Sequence, residues 1–344
     1  MAGQLGILLI PILLTLPAMS QPALAQAGDT ALPTLDLRLP SGPAVRSLGI
    51  LMAAERGYFA AAGLDVTVSH ARLGHSPVTD LAEEHADLAI EIMPVALRQR
   101  AEGAEVVHIA QFFQRGTLTL ICRPEIDQPG KLAGRNVGVW LGGWESGFYA
   151  WLNRLGLSYF ASGGGVTILR QGPDAEAFLA RETDCFTTTS YLAPLQLADL
   201  GKERKDLVHY AYEELGLSVL EDGLYARAAD LADPARVDLF ARFLSAVARG
   251  WQSVREEPKA ARTLLASQTE NAGRDAVLLT ESLNAVIAAL GRPRIEIGSL
   301  DAAAFDRTVT LLLTGAPEPV LTAAPTRALS DAVFNHRRAA GGVN

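Results

Sequence analysis

Residues Arg123–Glu145 read RPEIDQPGKLAGRNVGVWLGGWE, and they divide the chain. The first part, RPEIDQPGKLAG, holds two prolines and two glycines, residues that interrupt both helices and ladders. An apolar strand pattern, RNVGVW, then starts afresh. It ends in a loop where two glycines sit between two tryptophans and Glu145 closes the turn. Upstream of the break, strand and helix patterns alternate. LDLRL (Leu35–Leu39) is followed by the helical spacing of SLGILMAAERGYF. LDVTVS and ADLAIEI (Ala86–Ile92) are strands, MPVALRQRAEG is a helix stopped at Gly103, and AEVVHIAQFF and TLTLICR (Thr117–Arg123) are strands. Downstream the alternation repeats through WESGFYAWLNRLGL, GVTILR, DAEAFLARE, TDCFTTT, YLAPLQLADLG and DLVHYAY. After EDGLYAR the chain turns almost wholly helical, beginning with ADPARVDLFARFLSAVARGWQSVREE. Pro234 stands near the start of that helix, where a missing N–H costs little.

The expected class is therefore α/β, in two lobes. Residues 33–123 with 224–344 form the first and residues 124–223 the second. Hinges fall at Arg123–Pro124 and Asp222–Leu224, and the C-terminal helices return to the first lobe. Such an order leaves a cleft between lobes, at the carboxyl ends of parallel strands, where small ligands bind.

Four strand-end loops converge on that cleft. In SGPAVRS, Ser41 is polar and Arg46 offers an anion contact, although a surface arginine is the ordinary alternative. Glu91, in IEIMP, is a carboxylate at the end of an apolar strand, and it needs either a ligand or an ion pair. In the glycine loop, Gly142 and Gly143 allow a flat molecule to approach the backbone. Trp140 and Trp144 offer faces, and Glu145 either accepts from a ligand amine or stabilises its own helix dipole. In FTTTSY, Thr188 and Tyr191 are candidates, whereas Ser190 is equally a helix cap.

The 344 residues suffice for two domains, and a formal charge of −8 opposes non-specific nucleic-acid binding. No Walker-type or Gly-x-Gly-x-x-Gly loop is present. The six histidines are scattered without metal-ligand pairing, and no Gly-x-Ser-x-Gly elbow occurs. No enzyme activity, cofactor or metal is expected. GILLIPILLTLPAM (Gly6–Met19), followed by PALAQA, reads as an export signal cleaved near Ala25, although no Lys or Arg precedes it. Cys122 and Cys185, in apolar strand patterns, read as buried free thiols, with a disulfide as the alternative.

Several of these segments together resemble the substrate-binding proteins of ABC importers, of the type that binds nitrate, sulfonates, taurine or thiamine-pyrimidine precursors. They are AAERGYFAAAGLDVTV, ADLAIEIMPVALRQRAEGAEVVHIAQFFQRGTLTLICR, KLAGRNVGVWLGGWE, FLARETDCFTTTSY and LEDGLYAR. The resemblance implies a periplasmic-binding-protein-like fold and a monomer in the periplasm. It also implies a small-molecule ligand and a membrane permease as partner. AQFFQRGTL, GVWLGGWE and LEDGLYAR are most similar to the thiamine-pyrimidine branch, which adds Gln114 and Asp222 to the candidate contacts. That branch implies an aminopyrimidine held by aromatic rings and a carboxylate. Where the branch carries Tyr-Asn-Glu, this chain reads Tyr191, Leu192 and Ala193, and its first loop reads LPSGPAVRS in place of a Trp and an Asn–His pair. The expected ligand is heteroaromatic, with a sulfonate- or nitrate-type or other organic molecule as the alternative; an enzyme of the same fold in pyrimidine biosynthesis and a sensory ligand-binding subunit are the rival roles.

Overall fold

The computed structural model describes residues 1, 3, 31–72, 74–159, 163–315 and 319–341. The expected export signal and its cleavage point lie outside these residues. The first part of the chain runs β1 (Thr34–Leu39), α1 (Leu48–Glu55), α2 (Tyr58–Ala61), β2 (Asp65–His70), α3 (Pro77–Ala82), β3 (Leu88–Glu91), α4 (Met93–Ala101) and β4 (Val106–Gln111). Next come β5 (Leu118–Cys122), β6 (Asn136–Val139), α5 (Ser146–Leu155), β7 (Thr167–Arg170), α6 (Glu176–Leu179), β8 (Cys185–Thr189), α7 (Ala193–Asp199) and β9 (Val208–Ala211). The chain then returns through β10 (Gly223–Arg227) to α8 (Pro234–Glu256), α9 (Pro258–Ala266), α10 (Ala276–Ala289), α11 (Ala302–Thr314) and α12 (Ala332–Ala339).

Two five-stranded sheets result. The first has the order β2-β1-β3-β10-β4. In it β1 runs parallel to β2 and β3, and β10 is antiparallel to both of its neighbours. The second has the order β7-β6-β8-β5-β9, with β6 parallel to β7 and β8 and with β5 antiparallel to β8 and β9. Strands β3, β4, β5 and β8 are buried along their whole length, which is why they read as mostly apolar or β-branched runs rather than alternating ones, broken only by Glu91 in β3 and by His108 and Gln111 in β4.

One expectation is corrected here. TLTLIC was assigned to the first lobe, but β5 lies inside the second sheet, between β8 and β9. The chain thus passes from the first sheet to the second over residues 112–117, before Arg123. The proline-rich segment is the β5–β6 connection within the second sheet and carries one 3₁₀ turn, Pro129–Leu132. Nothing in an apolar run states which sheet it joins; ladder partners decide it. The return crossing runs through Glu221–Asp222, immediately before β10.

The cysteine reading is corrected as well. Cys122 and Cys185 are opposite residues of the β5–β8 ladder and form a disulfide, both fully buried.

The C-terminal helices cover the first sheet through α8. Asp233 caps that helix by accepting from the Ala235 N–H, with Pro234 at its first position. Its buried stripe includes Phe240, Phe243, Leu244, Val247 and Trp251. This stripe meets α1 closely: a Cβ on Gly49 would stand 2.2 Å from the Trp251 ring, and one on Gly250 would stand 2.0 Å from the Gly49 carbonyl. α11 does more than cover the first sheet. Leu311 joins the core of the second sheet, and a Cβ on Gly315, just after α11, would stand 3.2 Å from Ala150 of α5.

Candidate functional site

Loops that leave the carboxyl ends of β1, β6, β7 and β8 face one another and enclose a cavity of about 760 Å³. That volume suits a small organic molecule. The first sheet contributes Ser41, Gly42, Pro43 and Arg46. The second contributes Trp140 and Trp144 after β6, Asp174 and Glu176 after β7, and Thr189, Tyr191, Leu195 and Gln196 around the β8–α7 turn. Glu270, Asn271 and Arg274, between α9 and α10, close a further side.

The two tryptophans form one aromatic corner. Their ring centroids are 6.0 Å apart with planes at 69°, an edge-to-face arrangement. The Trp140 indole N–H donates to the Gly172 carbonyl at 2.9 Å, which fixes its ring. Both are half-buried and line the cavity. Tyr191 is almost wholly buried at the cavity wall, and burial pushes its phenol above the ordinary value. Leu179 is an exposed apolar side chain on the wall.

Arg46 sits deeper. Its guanidinium is buried and makes a two-point pair with Asp222: Nε donates to Oδ2 at 3.3 Å and Nη2 donates to Oδ1. It also stands 5.7 Å from the centre of the Trp144 ring. Burial pulls the guanidinium down, but the Asp222 carboxylate, with Tyr191 and Glu91 nearby, holds it above the ordinary arginine range. Asp222 adopts a left-handed conformation, φ 49°, at the return crossing between sheets. Such strain in a non-glycine residue persists only where its surroundings over-determine it.

Two more buried carboxyls flank this pair. Burial pushes Glu91 up to about 7, opposed by the Ile92 N–H it accepts from at 2.9 Å and by Arg46. Glu221 is likewise pushed up to about 7 by burial. Its partners are the Thr117 N–H at 2.7 Å, the Thr117 hydroxyl and the Leu118 N–H. Both crossings between the sheets, residues 112–117 and Glu221–Asp222, are thus tied together by hydrogen bonds.

Of the residues singled out in the sequence, Ser41, Arg46, Trp140, Trp144 and Tyr191 reach the cavity. Glu91 and Asp222 lie behind it, around Arg46. Thr188 is turned away, donating to Gln196 Oε1 at 2.6 Å, while its neighbour Thr189 lines the wall. Gly142 and Gly143 shape the loop without lining the cavity. At Gly143, φ is +128° and a Cβ would stand 2.7 Å from Val95, so the loop lies against α4. The Glu145 carboxylate accepts the Gly143 N–H at 2.7 Å, so it braces its own loop and makes no helix-cap bond. Ser190 lines a separate cavity of about 160 Å³, and it caps no helix, since α7 begins after Leu192. Gln114 donates to the carbonyls of Gln111 at 3.2 Å and Ser299 at 2.8 Å, away from the site.

Sequence reasoning missed Asp174, Glu176, Thr189, Gln196, Glu270 and Arg274. The first two follow β7, so the strand-end rule that found SGPAVRS would have found them. Glu270 and Arg274 come from the helical half and carry no local signal.

Two α/β sheets facing each other across a cavity walled by strand-end loops define the fold of the ABC-type substrate-binding proteins. Solved structures bear this out. The periplasmic aliphatic sulphonate binding protein SsuA from Escherichia coli superposes with a TM-score of 0.63 at 16% identity, over 83% of this chain and 89% of that one. A putative periplasmic sulfonate-binding protein from Methylobacillus flagellatus KT gives 0.65 at 13%, over 90% and 95%. The periplasmic nitrate-binding protein NrtA from Synechocystis PCC 6803 gives 0.64 at 13%, over 90% and 89%. A family model described as NMT1/THI5 like matches residues 45–261, more than half of the chain, and the chain belongs to that family. No curated protein matches it in sequence.

Proposed function

We propose that this protein is the exported solute-binding subunit of an ABC importer, and that it captures a small heteroaromatic molecule in the cavity between its two sheets. The observation that carries this reading is the aromatic corner of Trp140 and Trp144, set opposite Arg46 and Ser41 on the wall of a cavity of about 760 Å³. Two steeply inclined rings select a flat ligand by contact on one side and edge on the other. Residues 112–117 and Glu221–Asp222 serve as the hinge. The lobes close on the ligand because the closed form brings both walls onto it, and a ligand shifts such an equilibrium only by its differential affinity. The closed form then presents the ligand to a membrane permease.

Two observations support export and capture. The neighbours in structure are named as periplasmic binding proteins. The buried Cys122–Cys185 disulfide suits an oxidising compartment.

Thermal unfolding of the mature protein tests the reading against thiamine, its pyrimidine precursors, flavins, taurine, aromatic sulfonates and nitrate. A ligand at a hundredfold excess over its Kd stabilises the folded state by about 2.7 kcal/mol. A heteroaromatic compound is expected to raise Tm by several degrees, and Trp144→Ala is expected to weaken it by about tenfold. A response to taurine or nitrate alone would overturn the heteroaromatic assignment.

A further inference from the structure

The neighbours named for sulfonate and nitrate raise the question of what this cavity does with charge. An oxyanion site needs a cation or a set of N–H donors with no other acceptor. Two guanidiniums reach the wall, Arg46 and Arg274. Neither is free. Arg46 is held at two points by Asp222, with the Glu91 carboxyl nearby. Arg274 makes a two-point pair with Asp199, through Nη1 to Oδ1 and through Nη2 to Oδ2 at 2.9 Å. The wall meanwhile carries four carboxylates, Asp174, Glu176, Asp199 and Glu270. Of the three besides Asp199, Asp174 and Glu270 each accept one backbone N–H, from Glu176 at 3.2 Å and from Ala44 at 2.9 Å. None of the three is in an ion pair with any described Lys, Arg or His. The first-sheet N–H that would otherwise greet an anion at the start of the Ala44–Ser47 turn is thus already taken by Glu270.

We propose that the cavity selects a cationic heteroaromatic ligand and discriminates against sulfonate, nitrate and other oxyanions. The inference rests on the capture reading above and names its ligand class. Charge and shape point the same way. Indole rings attract cations through the ring quadrupole, and this corner already holds one: the Arg46 guanidinium, its charge balanced by Asp222, stands 5.7 Å from the centre of the Trp144 ring. The acidic rim, Asp174 and Glu176 with Glu270 facing them from the helical half, raises the local concentration of cations and lowers that of anions. Tyr191, whose phenol burial keeps protonated, adds a neutral polar edge. An oxyanion entering this space would face three carboxylates outside any ion pair and two arginines whose charge is already compensated.

Equilibrium binding of three flat molecules of similar size, benzamidinium, benzamide and benzenesulfonate, provides the test. Benzamidinium is expected to bind at least about tenfold more tightly than benzenesulfonate. The margin should shrink as salt is added and shrink again in the double variant Asp174→Asn, Glu176→Gln, whose two positions are exposed and whose fold is not at stake. In Asp222→Asn, which leaves Arg46 without its counter-charge, benzenesulfonate affinity is expected to rise. Benzenesulfonate binding as tightly as benzamidinium, with benzamide also bound, would overturn the charge selectivity and leave capture standing. Failure of all three to bind would overturn both, because neutral benzamide reports the aromatic corner without regard to charge.

Discussion

The two walls of the cavity are built on opposite plans. Behind the wall from the first sheet lies a buried polar group: Arg46 pairs with Asp222, and Glu91, close by, accepts from the Ile92 N–H. The wall from the second sheet is aromatic and half-open: Trp140 and Trp144 meet edge to face and are half-buried where they line the cavity. The difference separates two tasks. A buried ion network resists any change in its partners, since removing one leaves an uncompensated charge in a poor solvent. It therefore suits a fixed side, close to the return crossing between the sheets. Ring faces tolerate many partners and rearrange at low cost, which suits the side that meets the ligand.

The comparison breaks most sharply at Asp222. Replacing it by alanine removes the only ion-pair partner of Arg46 among the described residues and puts a Cβ-bearing residue without a polar side chain at φ 49°. The expected loss of stability is about 3–5 kcal/mol, because the guanidinium stays buried and unpaired. Chemical denaturation of Asp222→Ala and Asp222→Asn measures it. Asparagine should lose less, since it tolerates the left-handed conformation and keeps an acceptor. Equal stability of Asp222→Ala and the parent protein would show that Arg46 reaches water, and the contrast between the walls would fail.

A pH titration sharpens the same contrast. The folded state holds the Glu91 carboxyl at about 7, above the ordinary glutamate value of 4.5, chiefly by burial. A raised acid favours the folded state at low pH, and that advantage is lost as pH rises through the folded value. The window thus runs from about 4.5 to about 7. His108 contributes the opposite slope over an overlapping range, because burial pushes its ring down to about 4. The informative quantity is accordingly a difference. Glu91→Gln keeps an acceptor for the Ile92 N–H and cannot ionise. Its stability relative to the parent should rise between pH 5 and 8 by about 1–3 kcal/mol. A pH-independent difference would mean that Glu91 is solvated and that the first wall is open.

How much of this was readable in the sequence follows from the range of each interaction. The two α/β units, the helical tail and three of the cavity's four strand-end loops (after β1, β6 and β8) are local patterns, and the strand–helix alternation shows them. What no local pattern shows is partnership. β5 carries the same apolar run whichever sheet it joins, and only its ladder with Cys185–Thr189 places it. The same ladder sets Cys122 opposite Cys185 across 63 residues, so the disulfide and the position of the first crossing were missed for one reason. Arg46 was legible as a cavity residue. Its pairing with Asp222, 176 residues away, was not, and that pairing reverses what the arginine implies about the ligand's charge. Glu145 shows the converse: a carboxylate beside two tryptophans looks available, yet its partner is the Gly143 N–H two residues back.

That last contact gives the smallest effect and the finest test of the second wall. Glu145→Ala removes the acceptor of the Gly143 N–H, in a loop that lies against Val95 and Ile92 of the first-sheet side. The expected cost is about 1 kcal/mol, the ordinary worth of a partly exposed hydrogen bond. Because the carboxylate does not line the cavity, ligand affinity should stay within about twofold once the small change in stability is allowed for. Trp144→Ala should do the reverse, costing affinity about tenfold. The two variants together separate a residue that braces the loop from one that presents a face. If Glu145→Ala instead weakened a cationic probe as much as Trp144→Ala did, the carboxylate would have to turn from Gly143 to the ligand on closure. The second wall would then be an acid–aromatic pair, and the loop would rearrange where the first wall holds still.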